Sequence, residues 1–152
     1  MLAELRIISP ALYDEINFIK DYKGRPVDVY VKVIEKNEFP APLKASTNVG
    51  QDRTDKNAYS SEYGFNTVSV KVANVRKSSI LLAHEFGHIS YLVPNLAMYV
   101  KVYIEHYEKM MVDPNAMGHQ PGDPSGGMAR TYERKFAVAY YARMKSMNDK
   151  NM

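Results

Sequence analysis

The chain has no cysteine and no tryptophan among its 152 residues. Without cysteine there is no disulfide and no thiolate zinc site, whatever the compartment. No stretch of 18 apolar residues occurs, so no transmembrane helix and no membrane partner are expected. Ile89–Ile104 is apolar but is interrupted by Pro94, Asn95 and Lys101, and reads as a buried helix pair. The start, MLAELRIISPALYDEINF, has no basic segment followed by an apolar core, so no signal peptide is expected. That leaves the localisation open between the cytoplasm and export as part of a larger system. No run of Lys or Arg stands out and the net charge is only +3, which does not imply nucleic acid. There is no internal repeat, low-complexity tract or domain linker. The length suits one domain spanning 1–152.

What is present is ordinary globular composition, 45% hydrophobic and 24% charged, with twelve tyrosines. Ser9-Pro10 reads as a cap followed by proline at the first helical position, and Leu12, Ile16 and Ile19 keep helical spacing. A helix is therefore predicted from Pro10 to about Tyr22, ended by Lys23-Gly24-Arg25-Pro26. Val27–Val33 alternates with period two and reads as a strand. Residues 37–64, rich in Asn, Pro, Ser, Thr, Asp and Gly, read as a long irregular segment. Asn66–Ala73 is a second alternating strand. A helix from Asn74 to about Val93 follows, with Ser78 or Ser79 near its start. Another is expected from Leu96 to about Met111. Asp113–Gly127, with four glycines and three prolines, reads as a loop. Ser125 would cap a last helix from about Met128 to Met147.

Five residues of the Asn74–Val93 helix carry chemistry: His84-Glu85-Phe86-Gly87-His88. Histidines four apart on a helix share a face and both reach one Zn²⁺. Glu85 is then placed to act as general base on a water that the metal activates. With four histidines and nine glutamates in the chain, shuffling gives this pattern in roughly 0.5% of sequences. The bland reading is two histidines on a solvent face beside an accidental glutamate. Gly87 leaves room for a backbone or side chain to approach, and Ile80, Leu81, Ala83 and Phe86 would bury the other side of the helix.

The third ligand stays open at this point. Glu105, Glu108 and Glu133 are the candidates. Glu108 lies 20 residues after His88 and Glu133 lies 45 after it. Glu105 and Glu108 also suit a solvated face with Lys101 and Lys109, and Glu133 suits a surface pair with Arg130 or Arg134. His119, in the loop Gly118–Gly126, is a candidate donor to the oxyanion of a tetrahedral intermediate. It is alternatively a zinc ligand oriented by Asp123, or simply a surface histidine. Tyr91 and Tyr132 are further oxyanion candidates, though either suits core or surface filling.

The pentad is the HExxH pattern, and the chain resembles the zincin metallopeptidases. The metzincin class is excluded, because Tyr91 and Pro94 stand where its glycine and third histidine would be. Ile104–Lys109 does not resemble the thermolysin-type ligand segment. Glu133 before Phe136-Ala137 is similar to the third-ligand segment of small bacterial and phage-type zincins, a gluzincin-like arrangement. The resemblance implies an α+β fold, a minimal zincin-like domain with a small mixed sheet against the HExxH helix and a C-terminal helix. It implies a zinc-dependent endopeptidase with Zn²⁺ on His84, His88 and Glu133, Glu85 as catalytic base, and a peptide or protein substrate added as a strand at a sheet edge; the catalytic residues read from the sequence are Glu85 and, from its loop, His119. Asn66–Ala73 or part of 41–49 would supply that edge. The Gly-His and Asp-Pro-Ser-Gly elements also look like metallopeptidase domains at the ends of bacterial polymorphic toxins. That likeness implies an interbacterial role and an inhibitor or immunity protein as partner. A different class of function fits the same residues: a zincin-fold zinc-binding regulatory or interaction module without general protease activity.

Overall fold

The computed structural model describes residues 1–39, 44–96, 105, 108, 112 and 124–150. Two short helices open the chain, α1 (Leu2–Ile8) and α2 (Pro10–Asn17). The backbone N–H of Ser9 donates to Leu5 and closes α1, and Pro10 then starts α2. Leu5, Leu12 and Ile16 point into the core. The helix expected to reach Tyr22 stops at Asn17. Tertiary pairing overrides its spacing. Val27 N–H donates to the Ile19 carbonyl at 3.1 Å, and Lys20 bridges Pro26. Asp21 then accepts the backbone N–H groups of Lys23 and Arg25, both at 2.9 Å, around Gly24 at φ +77°.

The main sheet has three strands in the order β1-β6-β2. β1 (Asp28–Ile34) and β6 (Thr67–Ala73) run parallel, and β2 (Ala45–Asn48) pairs antiparallel with β6. A second small sheet joins β3 (Gly50–Gln51), β4 (Tyr59–Ser61) and β5 (Gly64–Phe65). The segment read as irregular between 37 and 64 therefore holds four strands or parts of strands and one 3-10 turn (Lys36–Glu38). These strands are too short and polar to show alternation. β6 is more buried than an alternating strand. Every residue but Lys71 is buried, because β6 is the central strand and is covered on both faces.

α3 (Ser78–Leu92) follows, entered through Lys77 at φ +63° and ended by a 3-10 turn, Val93–Asn95. α4 (Pro124–Lys150) is the last element. The expected Leu96–Met111 helix and the loop to Asp123 lie outside the described residues, except Leu96, Glu105, Glu108 and Val112. Residues 124–127, expected in the loop, are instead the first turn of α4. Pro124 suits that turn, where its missing N–H costs nothing. The two glycines that suggested a loop, Gly126 and Gly127, are thus helical.

Among the described residues there are four helices and two small sheets, an α+β architecture. α3 packs most extensively on α4 and also touches β2, β6, α1 and α2. The core gathers Leu5, Ile16, Val68, Val70, Val72, Leu82, Phe86, Ile89 and Phe136 around it. Among the described residues no helix is long and apolar enough to cross a membrane.

Candidate active site

α3 sorts its residues by face. Leu82, Ala83, Phe86 and Ile89 are buried in the core, and His84 and His88 are half-buried one turn apart on the side that meets α4. Their rings stand edge to face with centroids 5.0 Å apart. Gly87, between them, permits the close approach of α4. A Cβ there would lie 2.5 Å from Ala129 Cα and 2.8 Å from the Met128 carbonyl oxygen.

Across that contact α4 presents Ser125, Ala129 and Glu133, which its four-residue spacing puts on one stripe. The helices run antiparallel there, so the stripe meets α3 in reverse order. Ser125 Oγ lies 2.6 Å from His88 Nδ1. Ala129 covers Gly87. His84 Nδ1–H donates to Glu133 Oε2 at 2.7 Å. Glu133 is thus brought to the motif and not to Arg130 or Arg134. Its side chain is 41% exposed, whereas His84 is 18% exposed, so the cluster opens to solvent on the Glu133 side.

Glu85 lies close enough to His84 and Glu133 to feel both, and it also reaches the sheet. It is buried at 7% exposure, and its carboxylate accepts a short hydrogen bond from the Thr47 hydroxyl on β2. Burial pushes the Glu85 carboxyl above the ordinary carboxylate range. The Thr47 hydrogen bond and the nearby His84 oppose that push, and the negative charge of Glu133 adds to it.

The other candidates fall elsewhere. Glu105 and Glu108 are helical and exposed. His119 and Asp123 lie outside the described residues. Tyr91 is packed against the core. The Tyr132 hydroxyl donates to Glu15 at 2.6 Å and lies 2.8 Å from Ser90 Oγ, and Ser90 also donates to Glu15 at 2.7 Å. That clasp ties α2, α3 and α4 together and engages the Tyr132 hydroxyl away from any oxyanion. Ser125 was expected to cap α4 and instead sits buried within it, against His88. Thr47 was not singled out at all. It sits in Ala-Ser-Thr-Asn, which has no spacing that could mark it. Ser125 did carry a signal, its eight-residue separation from Glu133 on a helix. Of the two segments considered for the sheet edge, β2 is, among the described residues, an edge strand and β6 is central.

No family model, no curated protein and no solved structure matches the chain. The chemistry of the cluster must therefore be judged on its donors. Two imidazoles and one carboxylate are the set that a catalytic zinc takes in His₂Glu sites. Among the described residues no group of three such side chains is already spaced as a metal cage. Glu133 is hydrogen-bonded to His84 instead of standing apart as a third donor. It is nonetheless in contact with one of the two histidines, on the open side of the cluster. The residues fit zinc in type and in proximity.

Proposed function

We propose that the protein is a zinc-dependent metallopeptidase of minimal zincin-like fold, with His84, His88 and Glu133 holding the metal and Glu85 as general base. The observation that carries this reading is the arrival of Glu133, from a separate helix, at the two-histidine face of the HEFGH helix. When bound, zinc supplies Lewis-acid polarisation of a carbonyl and makes a water molecule more acidic. Glu85 takes the proton of the attacking water on its carboxylate and delivers it to the leaving amine. The Thr47 hydroxyl fixes one carboxylate oxygen and so sets the direction of the other. Burial raises the basicity that Glu85 needs near neutral pH. The neighbouring edge strand β2 suits an extended peptide added beside Thr47.

A second role for Glu133 is favoured by the atom it touches. A carboxylate accepting from Nδ1 fixes a histidine tautomer whose Nε2 lone pair faces a metal. X-ray absorption of the zinc-loaded protein separates the two roles. A direct ligand adds one carboxylate oxygen to two imidazole nitrogens, and an orienting group does not.

The mechanism itself is tested with Glu85→Gln. The variant should hold one zinc per chain, like the wild type, while cleavage of a peptide library falls by at least about 10³-fold. Turnover equal to that of the wild type would sink the assignment of Glu85. A wild type purified without chelator that takes up no zinc would sink the metal site.

A further inference from the structure

We propose that the open edge of β1, opposite the edge next to Glu85, pairs antiparallel with β1 of a second copy of this chain, making a two-fold dimer with a continuous sheet. β1 ends the sheet order β1-β6-β2, and among the described residues no strand covers its outer side. Its backbone alternates between the two sides. Asp28 N–H donates to Asn66 and the Ile34 carbonyl accepts from Asn74, both towards β6. Val27 N–H points the other way, to Ile19. The same alternation turns the N–H and carbonyl groups of Val29, Val31 and Val33 to the open side, where no other described residue bonds to them. The only edge protection of the usual kind is the pair of charges at Asp28 and Lys32, one of each sign. β1 is seven residues long, has no proline, and leaves Tyr30 41% and Val33 49% exposed.

Beside this edge lies an open cavity of about 380 Å³. Residues 28–31 of β1 line it together with Leu2, Tyr13, Ile16, Asn17 and Phe86. An added strand would lay its valines beside this groove, whose lining is mixed polar and apolar.

Charge selects the occupant and the register. Asp28, Tyr30 and Lys32 share the solvent face of β1. With a two-fold axis at Tyr30, Val29 and Val31 exchange backbone hydrogen bonds across the axis. Asp28 then stands directly opposite Lys32 of the second copy, twice, in the close pairs that lack backbone hydrogen bonds. A register centred on Lys32 would oppose lysine to lysine. Lys32 already lies beside Lys71 on β6, so an acidic neighbour on its free side is favoured. Among the described residues neither Asp28 nor Lys32 belongs to an ion pair. Tyr30, held by stacking on Tyr63 at 4.3 Å, is positioned to meet its symmetry mate.

The test is sedimentation equilibrium of the whole protein at low salt. The wild type should dimerise. Asp28→Lys and Lys32→Asp should each weaken self-association by at least about tenfold, since each reverses both cross-strand pairs. Mixed one to one, the two single variants should recover a heterodimer, because a copy with lysine at both positions faces a copy with aspartate at both. The double variant D28K/K32D should self-associate like the wild type. Both substitutions are at exposed positions, and circular dichroism verifies that the variants are folded. A wild type that stays monomeric up to about 1 mM overturns the proposal. So does a dimer indifferent to the single reversals, or a mixture that fails to associate.

Discussion

One methyl group at position 87 would collide with backbone atoms of α4 at 2.5, 2.8 and 2.9 Å. Backbone cannot swing aside as a long side chain can, so Gly87→Ala must push α4 away from α3. Overpacking of this kind costs about 1–3 kcal/mol. The same shift carries Glu133 away from His84 and Ser125 away from His88, since all three contacts lie on one helix face. Urea unfolding should show that loss, and zinc affinity should fall with it. Unchanged stability would mean that the helices do not meet as closely as described. This glycine was readable within the pentad, as were the two histidines and Glu85, because a fixed helical spacing ties them to one chemistry. The direction of Glu85 was not readable. It depends on Thr47, 38 residues away on a strand of four polar or small residues. Glu133 lay between. Its position on a helix was legible, but its choice of His84 over Arg130 and Arg134 depends on how two helices cross.

The turn between α2 and β1 shows the same limit for whole elements. Ile19 has helical spacing from Ile16, yet it pairs with Val27, and the chain between them is organised by Asp21. That side chain is fully buried, with Arg25 Nε at 2.8 Å, and Arg25 reaches on to Asp55 at 2.9 Å. Burial pushes the Asp21 carboxyl upward, but hydrogen bonds from the Arg25 and Lys23 backbones and the guanidinium outweigh it, and the group titrates below its usual range. The folded state therefore favours the charged form. The stabilisation is present above the ordinary carboxylate pKa of about 3.9 and is lost as pH falls through the lowered folded value. Asp21→Asn should cost about 1–3 kcal/mol at pH 7, and the gap to the wild type should narrow below pH 4. A gap constant from pH 7 to pH 3 would remove the ionic part of this account. Elements with strong internal periodicity, such as β1 and α3, were legible to within a few residues. β2 to β5 were not, because strands of two to four residues take their state from neighbours in space. The start of α4 was hidden for another reason. Gly126 and Gly127 lie in its first turn, and glycine in a sequence reads first as a turn.

At the scale of the molecule, the candidate site draws on β2, α3 and α4, through contacts 37 to 49 residues apart in the chain. No local segment can hold it, so the site exists only when α4 is docked. The docking is uneven along that helix. Ser125, Gly126, Ala129 and Phe136 are buried, and beyond Phe136 no residue of α4 is. Phe136 is thus the last buried side chain of the helix, set less than one turn beyond Glu133, with Tyr140 partly buried against the core one turn on. Val138, two residues after Phe136, is 73% exposed. Phe136→Ala should lower unfolding stability by about 3–5 kcal/mol, the usual cost of deleting a buried ring. Val138→Ala should change it by less than about 0.5 kcal/mol. The two variants differ little in helix propensity, so the contrast isolates burial. If α4 docking also positions Glu133, zinc retention should fall in Phe136→Ala and stay at the wild-type level in Val138→Ala. Equal effects of the two variants in urea titrations would show that α4 is not held to α3 through Phe136, and the assembly of the site would need another anchor.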